Sequence, residues 1–447
     1  MKSITGHLDN KYSEAQNLSK TYSTMDQIDS SRSVEYQAIG SNSYSARDGA
    51  KVVKFRLSDD RAWLDPSSVR IQYKITNTTT ADVTASKFEY LYPLKAHGFF
   101  TRLRLMTRSS LIEDVSDYNR VHEMFQTLKP DNVVKSEVIE GFKNLPGVHI
   151  PVQSAEYNPH SYFTSVSKGE SMVVSFKPFS GLLSQSHYIP LSFLPLEIEL
   201  ELSTDNTANI VDKASAHRAA GTETWPPGFD VSESWSLSDF KILCDQKYYS
   251  PKFYKDFVDM MTRENGSYKI SINNYTSIYQ TLFKGPIDIH ISKSVHSLDR
   301  VYVSFFQSDK TRIPFQLKYQ SYLKPFNFFY SPAVVGITTT LYNPTNDIKR
   351  LGLRIGSLNF PDTPLQSNSV CYYYLSKVHP ETSIALDEYY LTKFISVFDL
   401  ERAGASSDVL ARGIDTNNKN LRLSVEWPPT YHSARIHRQS RQITYIL

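Results

Sequence analysis

Phe394-Ile395-Ser396-Val397-Phe398-Asp399-Leu400-Glu401-Arg402 leads through a short loop to Gly413-Ile414-Asp415-Thr416-Asn417, and then to Leu421-Arg422-Leu423-Ser424-Val425-Glu426-Trp427. Just upstream, Leu386, Tyr389, Tyr390 and Phe394 recur at helical spacing, with Asp387 and Glu388 early, where carboxylates suit the helix dipole. The stretch therefore reads as an amphipathic helix, a strand, a Gly-Asx turn and a second strand. In that second strand Leu421, Leu423 and Val425 alternate with polar residues, the period of a half-buried strand.

The same alternation runs through most of the chain. Val69, Ile71, Tyr73 and Ile75 alternate with Arg70, Gln72, Lys74 and Thr76, and Leu103 and Leu105 with Arg102 and Arg104. Val173–Lys177 and Leu237–Asp245 read as strands, and Leu196-Glu197-Ile198-Glu199-Leu200-Glu201-Leu202 sends apolar residues one way and three carboxylates the other. Further on, Tyr268/Ile270/Ile272, Ile287/Ile289/Ile291, Val301/Val303/Phe305 and Leu351/Leu353/Ile355 repeat the pattern, and Ile443–Leu447 closes the chain.

Helical spacing is confined to three places. Tyr118, Val121, Phe125 and Leu128 form one stripe, ended by Pro130. Tyr254, Phe257, Val258 and Met261 form another, between Pro251 and Gly266, and the third precedes Phe394. Polar, turn-rich excursions at 131–170, 204–234 and 308–335 separate the strands.

A chain of 447 residues suits two cores better than one. With 29 Tyr and 24 Phe it is loaded with residues that favour pleated surfaces. The expected organisation is a polar N-terminal arm over 1–45, a first β-unit over 46–250, and a linker helix with a second β-unit over 251–447. Net charge is +3, and Lys2, Lys11, Lys20 and Arg32 are offset by Asp9, Glu14, Asp26, Asp29 and Glu35, so the arm is not built to condense nucleic acid. Two cysteines, Cys244 and Cys371, cannot staple a chain of this size; Cys244, in step with Phe240 and Ile242, reads as a small buried hydrophobe. Neither a leader-like start nor a run of about 18 apolar residues is present, which implies synthesis in a reducing compartment and no membrane insertion.

Signs of catalysis are sparse. Glu197, Glu199 and Glu201 share one strand face at roughly 7 Å intervals, a separation at which paired carboxylates hydrolyse glycosides. A polar sheet face, matched by cations such as Arg70 and Lys74 or Arg102 and Arg104, is the favoured reading, because no Trp-rich cleft sequence accompanies the acids. His432 and His437 lack a third ligand for a metal. No nucleophile elbow, phosphate loop, dinucleotide fingerprint or metal-binding pair of cysteines occurs, and no cofactor is implied. Arg435, His437, Arg438 and Arg441 form the one local basic cluster, a candidate contact for nucleic acid or an inner face. Tyr319, Tyr322, Phe326, Phe328, Phe329 and Tyr330 are candidate subunit-interface aromatics.

Three stretches carry a resemblance. Ile189–Leu200 followed by Trp235–Asp245 is one; Gly352-Leu353-Arg354-Ile355-Gly356 with Pro361, leading to Tyr372–Leu375, is the second; the segment from Phe394 to Trp427 is the third. With the order of elements over about residues 50–447, they resemble the double jelly-roll major capsid proteins of double-stranded DNA viruses, especially the polinton, adintovirus and polinton-like virus group. The resemblance implies an all-β chain of two consecutive eight-stranded jelly rolls, with short helices in loops and a linker helix. It further implies a non-enzymatic homotrimer with a pseudo-hexagonal outline, tiling an icosahedral virion beside minor capsid or penton proteins. Nucleic-acid contact is expected to be at most weak and non-specific, and synthesis is expected in the host cytoplasm. The alternatives left by the sequence are a β-sandwich that binds or hydrolyses carbohydrate on the Glu197/Glu199/Glu201 face, and a single-jelly-roll coat or fibre protein.

Overall fold

The computed structural model describes residues 28–45, 48, 51–79, 88–108, 110–130, 140, 142, 164–204, 209–210, 229–263, 272–282, 286–307, 329, 347–391, 393–401, 413–426 and 441–446. In the first half the strands are β1 (Ile28–Gln37), β2 (Ser43–Ser45), β3 (Val52–Leu57), β4 (Ala62–Asn77), β5 (Phe88–Tyr90) and β6 (Phe100–Thr107). They continue with β7 (Ser110–Ser116), β8 (Ser171–Phe176), β9 (Ile189–Pro190), β10 (Leu196–Leu202), β11 (Phe229–Val231) and β12 (Trp235–Tyr249). The second half adds β13 (Ser277–Leu282), β14 (Ile287–Ile291), β15 (Arg300–Gln307) and β16 (Arg350–Ile355), then β17 (Leu358–Leu365), β18 (Ile395–Asp399), β19 (Leu421–Glu426) and β20 (Arg441–Ile446). Among the described residues five α-helices intervene: α1 (Tyr118–Thr127), α2 (Gly181–Ser184), α3 (Pro251–Arg263), α4 (Asn368–Val378) and α5 (Leu386–Leu391).

Pairing makes the organisation plain. One sheet of the first half runs β1-β12-β4-β8, with β2 on β12 and β9 on β4; its partner runs β3-β10-β6-β7. The second half repeats this as β13-β20-β15-β18 and β14-β19-β16-β17. Numbering the eight main strands of each half in chain order, both give 1-8-3-6 and 2-7-4-5. That is a jelly roll, made twice.

Each sheet buries one face, as the alternation dictates. β4 points Val69, Ile71, Tyr73 and Ile75 inward, all wholly buried, while Arg70, Gln72, Lys74 and Thr76 stay half-exposed. Tyr73 stacks on Phe240 with ring centroids 5.3 Å apart, and Phe100 on Phe176 at 5.6 Å. In the second core Ile289, Val301, Val303, Leu353 and Leu423 fill the space, and Phe305 stacks on Phe394 at 5.7 Å. Buried aromatic pairs of this kind add roughly 0.5–1.5 kcal/mol each beyond their area. Equivalent two-residue hairpins join β6 to β7 and β16 to β17, and each needs a left-handed residue: Arg108 at φ 50° in one, Gly356 at φ 61° in the other. α3 begins at Pro251 and sets Phe257 against Trp63, centroids 4.8 Å apart. Cys244 and Cys371 are both free and buried.

Two expectations need correction. The arm does not extend to residue 45, because β1 hydrogen-bonds along β12 from Ile28↔Tyr249 to Gln37↔Lys241. An edge strand buries only part of one face, so Ser33–Asp245 (2.6 Å) and Glu35–Lys241 (2.9 Å) pairs serve where apolar residues would otherwise signal a strand. Residues 1–27 of the expected arm lie outside the described residues. The helix before Phe394 is only six residues long, whereas the eleven-residue α4 has no stripe for periodicity to reveal. Three successive tyrosines, Tyr372–Tyr374, mask its buried face, which consists of Asn368, Cys371 and Leu375.

Candidate functional site

The feature that decides what this molecule can do is the seam between its halves. α1 turns Tyr118, Val121 and Met124 into its own module and leaves Phe125 to face the other. Phe125 stacks on Phe179 at 4.4 Å and meets Tyr275 at 5.2 Å and Tyr302 at 5.0 Å, edge-on in both cases. The Tyr302 hydroxyl in turn shares a 2.8 Å hydrogen bond with Nε2 of His379. Beside this aromatic knot, Asn274 Nδ2 donates to the Ile112 carbonyl at 3.0 Å, and the Ser277 hydroxyl donates to the Ser116 carbonyl. At Gly181 the backbones almost touch: a Cβ there would lie 1.4 Å from the Asn273 carbonyl oxygen. Gly181 N and Ser180 Oγ both donate to the buried Glu113 carboxylate, at 3.0 and 2.5 Å. Burial raises the Glu113 pKa in spite of those bonds. A cavity of about 530 Å³ remains in the seam, lined by His122, Phe125, Phe179, Val378 and His379 among others.

A buried charged group accompanies the aromatics. His97 Nε2 lies 3.1 Å from Glu123 Oε2, and the His97 and His122 rings stack at 4.0 Å. Burial alone would raise the Glu123 carboxyl, but Lys95, the His97 hydrogen bond and Lys393 outweigh it and hold the group at about 2. Lys393 comes from the second half, so this carboxylate acts across the seam; burial pushes the Lys393 ammonium down while Glu123 pulls it up. Desolvation, reinforced by His97, drives His122 well below the ordinary histidine range. Desolvation and Arg300 bring His379 to about 4. Both rings are neutral at pH 7.

The carboxylates of β10 form an ion ladder. Glu199 is opposite Lys54 on one side and Arg104 on the other, with contacts of 2.5 and 3.2 Å, and Arg104 also reaches Glu201 at 3.8 Å. Glu201 faces Arg102, which is committed to Asp114 through two 2.7 Å bonds. A strand of acids flanked by cation-bearing strands is an outer sheet face. Arg70 and Lys74 take no part: they sit in the opposite sheet, where Arg70 donates to Ser175.

Other expected site residues scatter. Tyr319, Tyr322, Phe326, Phe328 and Tyr330 lie outside the described residues, as do Arg435, His437 and Arg438. Arg441 opens β20 between Leu282 and Gln307. Phe329 corrects the expectation of a subunit contact. It is 1% exposed, and its carbonyl accepts the Phe394 amide at 3.0 Å, so it is spent inside its own module. Sequence reasoning placed Phe125 in the α1 stripe but not its direction toward the other module; His97, Glu123, Phe179, Tyr275, His379 and Lys393 went unread because contacts across a seam have no periodicity.

Strand direction sorts the connections. Within each sheet neighbours are antiparallel, so links 1–2, 3–4, 5–6 and 7–8 of a module emerge at one end and links 2–3, 4–5 and 6–7 at the other. In the first module the long spans 78–99, 117–170 and 203–234 all fall at the first end, against 58–61 and 108–109 at the other. The second module repeats the bias with 308–349 and 366–394 against 292–299 and 356–357. Links 6–7, over 177–195 and 400–420, are intermediate in length, so each module carries its longest links at the first end.

No protein-family model and no curated protein matches the chain. Solved structures do. VP54 of PBCV-1, in a crystal structure fitted into a reconstruction of the virophage Sputnik, aligns with a TM-score of 0.57 and 8% identity over 93% of this chain and 92% of that one. A chain of the Sputnik virophage structure aligns at 0.56 and 12% identity, covering 94% and 85%. The Faustovirus major capsid protein gives 0.54 and 8%, covering 94% and 90%. The chain shares the double jelly-roll fold of these proteins nearly end to end.

Proposed function

We propose that this chain is a major capsid protein that assembles as a homotrimer and tiles an icosahedral virion shell, without catalysis. The observation that carries the proposal is the repeated 1-8-3-6 and 2-7-4-5 strand order within one polypeptide, with the halves fixed by a packed and hydrogen-bonded seam. Two similar upright modules per chain give three chains six similar walls, an outline that fills a surface with few kinds of contact. The ends that carry the longest links suit an outer surface and the opposite ends a base. Minor proteins at the vertices, and a weak inner contact by the basic segment that ends at Arg441, belong to the same proposal. The carbohydrate reading gains nothing from the ion ladder, because its central carboxylate is held between two cations. Purified protein should sediment as a trimer and give hexagonal outlines in negative stain. A monomer at every concentration, or glycan cleavage lost on Glu199→Gln, overturns the proposal.

A further inference from the structure

The two modules are equivalent in topology but not in what covers them, and the difference points to a surface. α1 and α4 each follow strand 5 of their module. α1 has no exposed residue, because it is buried between its own module and the next. α4 packs on β18 through Cys371 and Leu375, yet leaves Val370 39% and Tyr373 64% exposed, one helical turn apart, with Leu386 nearby in sequence at 46%. The counterpart surface differs in the same way. In the second module the outer face of strands 3 and 6 is closed: Tyr302, Ser304, Ile395 and Val397 are 4, 1, 0 and 1% exposed, and Phe125 of α1 lies on Tyr302. In the first module the outer face of strands 3 and 6 is open, with Val173 at 59% beside the half-exposed Lys74.

We infer that the Val370/Tyr373 face of α4 docks on the open Lys74/Val173 face of a second copy of this chain, repeating between chains the contact that α1 makes within one. This rests on the capsid reading and names the surfaces it uses. Such a contact is heterologous, with a helix face on one copy and a sheet face on the next, and a repeated rotation closes it into a ring. Tyr373 supplies a rigid aromatic anchor of the kind enriched at interface centres, and Lys74 a cation for its ring. Within the chain Phe125 already fills that role.

The test uses full-length protein. Tyr373→Glu and Val173→Glu, both at exposed positions, should each leave thermal unfolding unchanged while raising the concentration for half-assembly at least tenfold. Combining Tyr373→Glu with Val173→Lys should recover most of that loss. The pair Tyr373→Cys with Val173→Cys should give an interchain disulfide on mild oxidation, and neither single variant should. Assembly unaffected by both Glu variants, with no crosslink from the pair, overturns this surface and leaves the capsid reading standing. Wild-type protein that never self-associates overturns both.

Discussion

Replacing Gly181 with alanine tests whether the two modules form one mechanical unit. The added Cβ would sit 1.4 Å from the Asn273 carbonyl oxygen, whereas close C···O approaches run at about 3.3 Å, so one backbone must retreat by about 2 Å. That displacement exceeds what the Gly181–Glu113 bond of 3.0 Å and the neighbouring Asn274–Ile112 bond of 3.0 Å can follow. Overpacking costs roughly 1–3 kcal/mol, and weakening hydrogen bonds to a buried carboxyl costs a further ~1–3. Because the terms overlap, about 3–5 kcal/mol is the reasonable total. For 447 residues unfolding together, at about 2.1 cal/mol/K per residue, that lowers Tm by about 3–5 °C. Calorimetry should show the fall, with Gly169→Ala as control: it has φ +74° but nothing within 4 Å, so it reports backbone strain alone. If Gly181→Ala melts no lower than that control, the close approach of the modules, and the coupling argued from it, is wrong.

Acid should loosen the seam in two stages, followed by denaturant melts from pH 8 to 2. His122 and His379 have folded pKa values below 6.5, so the unfolded chain takes up protons first and stability falls as pH drops from about 6.5 toward 4. His379→Gln should flatten part of that limb; an unchanged limb sinks the assignment. Glu123 has its pKa depressed to about 2, so its contribution is complete above about 4.5 and disappears as pH falls from there toward 2. Glu123→Gln should cost about 3–5 kcal/mol at pH 7, since it strands buried cations, and a loss below 1 kcal/mol would show the group to be hydrated. Glu199→Gln should cost no more than about 1 kcal/mol in chemical denaturation, because its Lys54 partner is solvent-screened.

Both jelly rolls were legible in the sequence because strand period is written in single residues. Ile71/Tyr73/Ile75, Leu196–Leu202 and Leu421/Leu423/Val425 face the cores as their alternation requires. β1 was not legible, since Ile28–Gln37 spends polar side chains on cross-strand bonds. α4 was not, since its three successive tyrosines differ in exposure and its buried face, Asn368, Cys371 and Leu375, holds a single aliphatic residue. The seam was the least legible. Its partners Phe125 and Tyr302 are 177 positions apart, and their meeting depends on the placement of whole modules, which no local pattern encodes.

The gathering of the longest links at one end of each module separates what can drift from what cannot. Loop length enters folding free energy only logarithmically, so lengthening a distal link is cheap, while any change in the two-residue hairpins at the opposite end disturbs strand register directly. On the capsid reading proposed above, the end that bears the longest links can change while the strands that would tile a shell keep their register.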